Sequence, residues 1–496
     1  MFYRRILFAA TLCLVMCIYA SAQRFQASPV TVSSFYDVEN GKYYRVHVVE
    51  KGHTLYSIAK AYKCIISDII KSSPQGDNTV SIGEPLLIPL FDRKNLSSLV
   101  RYNVADTLAK RSAITEQPLT PAEKHDTLQY ISPERKDVIN VSLMLPLYTD
   151  EPSFPKKQYY FLPILEGALL AIEDIDNDTG SKINLNVFDL TENESSWNLV
   201  KNNPKFLQSD LILCAAYKNI FPRIDSLSRK NHIPLVHLHS ERDSVSHGNP
   251  YFIQLLPSIS TQIEVLADTL IAYFHNGNFV IFDEEKTTVD GLKMARYLHS
   301  LLEKAKKEHK FEPLNIHLYD PNEAGYEKFS TLLDKKHVNV VCGFTHKEIR
   351  LANMFVPLLK NNPDKENGML MNDYYISLFG PATWAYFTKI DPELFRHTSF
   401  TYFNTFATRL DPAASKVFEK DFFDRYGTLP DGMAYKGYMF SKWIFAALQK
   451  YNTDFIRHLD ECNSYPVLGA KFDFKFDAKT GGFENKSIEF VRFFSE

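Results

Sequence analysis

His237-Leu238-His239 carries the most explicit chemical spacing in this chain. Two imidazoles at i and i+2 on a strand share a face, as a metal site requires. Asp243 follows His239 at i+4, a second spacing that zinc ligands use. Both spacings depend on His239, however, and no ligand pair on another strand completes the set, so no metal is assigned. A GxSxG elbow, an HExxH helix and a Walker loop are all missing. Carboxylate pairs such as Glu284 and Glu285 are too common among 59 acidic residues to mark a glycosidase. The chain is therefore expected to be no enzyme and to need no cofactor; binding outranks catalysis.

A second constellation lies nearer the N-terminus. Val48-Val49-Glu50-Lys51-Gly52-His53-Thr54-Leu55-Tyr56-Ser57-Ile58-Ala59 reads as a strand, a tight turn at Gly52, and a helix whose first amides Thr54 can cap. Leu55, Ile58 and Ala59 at helical spacing, with Ile69 and Ile70 on a second helix, supply a small core for strands Arg45 to Val49 and Leu86 to Pro89. The segment closes with Ile82-Gly83-Glu84-Pro85-Leu86-Leu87-Ile88-Pro89. The opening and closing motifs resemble those of the LysM family over residues 43–90, with His53 where Asp is common and Ser72-Ser73 in place of the usual Asn. The resemblance implies a βααβ module that holds the N-acetyl sugars of peptidoglycan in a shallow groove. Gly52, His53, Thr54 and Leu55 would form one wall, and Pro74, Gln75, Gly76 and Asp77 the other.

The elements behind the histidine segment alternate in type. Val138 to Pro146 reads as a strand and Tyr159 to Asp176 as a helix with Phe161, Leu165, Ala168, Ile172 and Ile175 on one face. Strands Ile183 to Asp189, Leu211 to Cys214 and Leu235 to Leu238 follow, with a helix ending before Asn231, the rhythm of a parallel sheet. That rhythm restarts with helix Thr261 to Phe274, strand Phe279 to Phe282 and helix Asp290 to His309. Strands Leu314 to Tyr319 and Val338 to Gly343 then flank another helix. Two successive α/β units imply two lobes.

Several segments resemble the type I periplasmic-binding fold of leucine/isoleucine/valine-type solute-binding proteins: Val141 to Leu147, the Gly167 helix, Ile233 to Val236, Tyr251 to Ser258, Phe418 to Pro430, Tyr435 to Tyr438 and Gly481 to Asn485. The resemblance spans 138–496 and implies parallel sheets, with lobe one at about 138–256 and 405–450 and lobe two at about 257–402 and 471–496. It implies three crossings, near Leu255 to Ser258, near Tyr402 to Thr405, and between Lys450 and Phe472, with Lys471 to Phe476 and Ile488 to Phe493 as strands of lobe two. A ligand would lie in the cleft at the strands' carboxyl ends. In lobe one these ends present Tyr148, Ala215, Ala216, Tyr217, His239 and Ser240, and in lobe two Asp283, Glu284, Phe344 and Thr345. Those residues match the family's amino-acid subsites only loosely, and Met439 stands where the late helix often carries Asp, so an amino-acid ligand is not implied.

Residues 1–22 read as a secretory signal, with Arg4 and Arg5, an apolar run from Ile6 to Tyr19, and Ala20-Ser21-Ala22 as the cleavage site. Cys17 occupies the place of a lipidated cysteine, but Val15 and Met16 are large for that signal. Removing the segment leaves 54 basic against 59 acidic residues, a formal −5, with no footprint for nucleic acid. Cys64, Cys214, Cys342 and Cys462 remain, too scattered for a disulfide framework. Residues 24–42 are a polar lead-in, and 91–137 a polar, proline-dotted linker whose ~47 residues reach roughly 40 Å. No later segment has the length of a membrane span. The expectation is an exported, non-catalytic protein of the periplasm or cell envelope that binds peptidoglycan and holds a solute-binding or ligand-sensing domain near the wall. A regulator or scaffold of peptidoglycan synthesis that uses the same fold to bind an envelope protein stays open, and behind it a peptidoglycan hydrolase.

Overall fold

The computed structural model describes residues 30–33, 36–39, 42–62, 64, 66–73, 80–89, 135–149, 158–175, 180–243, 245–246, 248–284, 293–359, 373–406, 410–463, 467–470, 472–478 and 480–493. The expected signal, the wall Pro74 to Asp77 and nearly all of the linker lie outside them. No helix among the described residues is long and apolar enough to cross a membrane.

The N-terminal unit is an antiparallel sheet of β1 (Tyr36–Glu39), β2 (Lys42–Val48) and β3 (Pro85–Pro89), with α1 (Leu55–Tyr62) and α2 (Ile66–Ser72) between β2 and β3. β1 lies inside the stretch expected to be a lead-in. It is a strand because β2 supplies a pairing edge, with Tyr36 opposite Arg45, and such a partner leaves no trace in local periodicity. α1 starts with a reciprocal cap: Ser57 N donates to Thr54 Oγ1 at 3.1 Å, and Thr54 N to Ser57 Oγ at 2.9 Å. Val49, Leu86 and Ile88 pack on Leu55, Ile58, Ala59 and Ile69.

Lobe one is built on a seven-stranded sheet. β4 (Val138–Leu145), β5 (Lys182–Asp189), β6 (Leu211–Cys214), β7 (Leu235–His237) and β8 (Phe252–Gln254) are parallel, in the order β5-β4-β6-β7-β8. Its inner strands are buried on both faces, as a doubly covered parallel sheet demands. Leu143, Leu213, Val236 and Ile253 share a core with α3 (Gln158–Glu173), α7 (Pro412–Tyr426) and α8 (Gly432–Tyr451), whereas Met144, Ile212, Leu235 and Phe252 pack on Phe206 and on α4 (Phe221–Asn231).

Lobe two has six strands in the order β10-β9-β11-β12-β13-β16: β9 (Asn278–Phe282), β10 (Asn315–Tyr319), β11 (Val338–Cys342), β12 (Tyr375–Pro381), β13 (Thr401–Asn404) and β16 (Glu489–Arg492). All are parallel except β16. Helices α5 (Ile259–Tyr273) and α6 (Met294–Lys307) cover the face of Phe279, Ile281 and Val340. The helix expected between β10 and β11 is instead a single turn, Pro321–Ala324, followed by a 3₁₀ segment, Tyr326–Leu332. Gly325, at φ +81°, interrupts it. All four cysteines among the described residues are free, and Cys214 and Cys342 are buried within strands.

The chain crosses between lobes after β8, after β13, and between β15 (Gly482–Asn485) and β16. The third crossing is therefore at 486–488 and not between Lys450 and Phe472. The segment expected as a lobe-two strand at Lys471 to Phe476 instead forms β14 (Phe474–Asp477), antiparallel to β15, which lies parallel beside β8 in lobe one. Aromatic packing accounts for this: the fully buried Trp443 of α8 lies 5.1 Å from the Phe472 ring and 4.6 Å from that of Phe474. Both lobe boundaries in the C-terminal part shift accordingly.

α3 and α8 meet backbone to backbone. A Cβ on Gly167 would lie 2.2 Å from the Ala434 carbonyl oxygen, and one on Gly437 2.2 Å from that of Ile164. Gly437→Ala, which on an isolated helix would stabilise by about 1 kcal/mol, is expected instead to destabilise the protein by about 1–3 kcal/mol through overpacking. Urea unfolding checks this, and an unchanged or raised midpoint would refute the close crossing.

Candidate functional site

The loop after β4 is shaped by one carboxylate. Asp189, at the end of β5, accepts from the amides of Leu147 at 2.8 Å, Tyr148 at 3.1 Å and Thr149 at 2.7 Å. This holds Tyr148 at φ +52°, a conformation uncommon for a bulky residue. Its phenol then lies 2.6 Å from both Glu192 Oε2 and Tyr217 Oη, and burial together with those bonds pushes its pKa upward. Two expected cleft residues, Tyr148 and Tyr217, are thus brought together. Ala216 is partly exposed beside them, but Ala215 turns into the apolar core.

β7 ends at His237, so His237 and His239 do not share a strand face. His237 Nδ1 accepts from the amides of His239 at 3.3 Å and Ser240 at 3.1 Å, which assigns its proton to Nε2. Ser240 Oγ in turn accepts from Arg242 N. Beyond the turn, His239 Nε2 lies 2.8 Å from Tyr160 Oη of α3, and its buried Nδ1 has no hydrogen-bond partner among the described residues. Burial depresses the His237 pKa to about 3 and that of His239 to about 4, the latter aided by the positive charge of Lys436. Both rings are therefore neutral near pH 7.

Lys436 comes from α8. It is partly buried, its Nζ stands 5.6 Å from the Phe406 ring centroid, and burial lowers its pKa against the opposing pull of Glu241. Among the described residues no carboxylate is within ion-pair distance of it. Glu241 is engaged at the second crossing, where its Oε1 accepts from Thr405 Oγ1 at 2.8 Å.

In lobe two, Asp283 pairs with Arg296 Nε at 2.7 Å, and its buried Oδ1 has no partner among the described residues. Glu284 accepts from Tyr326 Oη, while Arg350 Nη1 donates to its backbone carbonyl at 2.7 Å. Burial raises the Glu284 carboxyl, and Tyr326 and Arg350 oppose that. The Thr345 carbonyl accepts from Trp384 Nε1 at 2.7 Å. Phe344 belongs to the core, not to a cleft surface.

The N-terminal turn is also rearranged relative to expectation. Gly52 sits at φ +88° and Thr54 caps α1, but Leu55 is core and His53 is buried. His53 Nδ1 accepts from Glu50 N at 3.2 Å, so His47 Nε2, also 3.2 Å away, is the donor to it. His47 Nδ1 then accepts from Tyr62 Oη at 3.0 Å, and Ser33 N donates to that hydroxyl at 2.6 Å. Burial, with His53 alongside, lowers the His47 pKa to about 3.

Sequence reasoning passed over Tyr160, Glu192, Tyr326, Arg350 and Lys436. None stands at a strand end; each reaches the site from a helix or neighbouring loop. Lys436, inside the quoted segment Tyr435 to Tyr438, had the clearest signal as a cation next to a helix-packing glycine.

No protein-family model matches the chain, and no curated protein matches it significantly. Among solved structures it is similar to an ABC transporter substrate-binding protein from Desulfitobacterium hafniense in complex with Leu, at 14% identity and TM-score 0.46, covering 72% of this chain and 97% of that one. It is also similar to a putative branched-chain amino acid ABC transporter protein from Rhodospirillum rubrum, at 12% and 0.47, covering 72% and 96%. A third is a solute-binding protein from Rhodopseudomonas palustris BisB5 in complex with 3,4-dihydroxybenzoic acid, at 13% and 0.41, covering 72% and 97%.

The neutral histidines make stability depend on pH. Below about pH 6.5 the unfolded chain protonates His47 and His237, whereas the folded chain resists until about pH 3. Their stabilising contribution is complete above about pH 6.5 and falls as pH drops towards 3, by at most ~1.4 kcal/mol per pH unit for each ring. Melting temperature measured from pH 7.5 to 4.5 should fall, and His237→Gln should flatten the slope. A slope unaffected by that change would count against a buried neutral His237.

Proposed function

We propose that residues 138–493 are a non-catalytic, two-lobed binding domain of the type I periplasmic-binding kind that closes on a small molecule carrying an anionic group. The observation that carries this reading is Lys436: a partly buried cation near His239 and Phe406, with no carboxylate at ion-pair distance among the described residues. Leaving such a charge unpaired is costly, and a ligand anion would relieve that cost. Polar bonds at the crossings support closure about a defined axis: Ser258 N donates to Glu484 Oε1 at 2.6 Å, and Asn485 Nδ2 to the Leu255 carbonyl at 3.0 Å.

The N-terminal unit is in this reading a LysM-type module that places the protein on peptidoglycan, in the periplasm or cell envelope. Tyr56, 69% exposed in the first turn of α1, and Ile82, 48% exposed in the turn before β3, offer apolar surface to sugar rings. The turn before β3 is tied to the segment that leads into α1, because Gly83 N donates to the Val49 carbonyl at 2.7 Å.

Two experiments test the halves separately on the full chain. In a thermal-shift screen of carboxylates and neutral metabolites, a ligand at 100 times its Kd should add about 2.7 kcal/mol. Lys436→Met should weaken that ligand by ~30-fold, about 2 kcal/mol, and the anion reading fails if only neutral compounds bind or the variant binds equally well. In sedimentation with purified sacculi, Tyr56→Ala should release most of the protein; unchanged co-sedimentation would remove Tyr56 from the contact.

A further inference from the structure

The pair β2–β3 is buried on both faces. Val49, Leu86 and Ile88 are covered by α1 and α2. Val46, Val48 and Leu87, on the opposite face, are just as deeply buried, at 2%, 6% and 5% exposure. A sheet buried on both sides needs two covers, and among its described residues the small unit supplies one. The second is lobe two: Val46, Val48 and Leu87 lie in one continuous core with Ile263, Leu266 and Leu270 of α5, and Tyr44 packs against it. β2 lies along α5, and β1 approaches β11.

We infer that the N-terminal unit forms one rigid body with lobe two, seated on α5, and does not swing on the segment that follows it. The inference rests on this interface and on neither binding role. α5 also begins at the first crossing, where Ser258 Oγ accepts from Thr261 N and Lys486 Nζ donates to Thr261 Oγ1 at 2.8 Å. Any relative motion of the lobes therefore carries the N-terminal unit with lobe two. If the unit grips peptidoglycan, lobe two is the fixed half and lobe one the moving half. Deleting residues 43–90 would bare an apolar face of lobe two, so a deletion variant would report on stability as well as on attachment.

The test is a distance distribution between spin labels at Lys60→Cys, exposed on α1, and Lys306→Cys, exposed on α6, in the full chain with Cys13, Cys17 and Cys64 replaced by Ser. The other three cysteines are buried. A single narrow distribution is expected, whereas a broad one, spanning tens of ångströms, would overturn the docking. Val46→Asp with Leu87→Asp should convert the narrow distribution into the broad one. A distribution left narrow by that pair would overturn the sheet face as the contact. Should the pair unfold the small unit, the width in the unsubstituted sheet decides alone.

Discussion

The contact on which most of the larger domain depends is the crossing of α3 and α8 at Gly167 and Gly437, where a methyl group on either helix would collide with the other's backbone. Because these helices touch so closely, α8 lies flat on the apolar face of the lobe-one sheet. That depth aims Trp443 at Phe472 and Phe474. The aromatic cluster holds β14 and β15 against β8, and the last crossing between the lobes has to follow β15. The same crossing sets Lys436, one residue before Gly437, near His239 and Phe406. Packing, lobe assignment and site electrostatics are consequences of one steric constraint.

The two lobes treat buried charge differently. In lobe two, Asp283 has Arg296 beside it, and Glu284 has Tyr326 and Arg350. In lobe one the carboxylates near the site are committed elsewhere: Asp189 to three loop amides, Glu192 to Tyr148, and Glu241 to Thr405. His239 is neutral and offers Lys436 no charge. This asymmetry leaves Lys436 with no carboxylate at ion-pair distance among the described residues, a property of which partners the surrounding acids hold and not of local composition.

The small N-terminal unit shows the same economy with neutral groups. Its two buried histidines are joined in a directed relay from Ser33 through Tyr62 and His47 to His53, so polar atoms occupy the interior beside α1 and acid stability is lowered. The sheet's other face is completed by a core that belongs to a different part of the chain.

What the sequence by itself determined is what neighbours along the chain decide. The Thr54 cap, the Leu55, Ile58 and Ala59 stripe and the short apolar strands from Val138 to Val338 were legible because helical and strand periods are local. The turn partners of His237 and the capture of the Tyr148 loop by Asp189 were not, since they depend on loop geometry that periodicity does not encode. Strand Tyr36–Glu39, the lobe to which Phe474–Asp477 belongs, and the approach of Lys436 to His239 were decided by the tertiary structure alone. In each case the deciding partner is distant in sequence or set by packing, and a strand's edge or a cation's surroundings exist only once the helices and sheets have met.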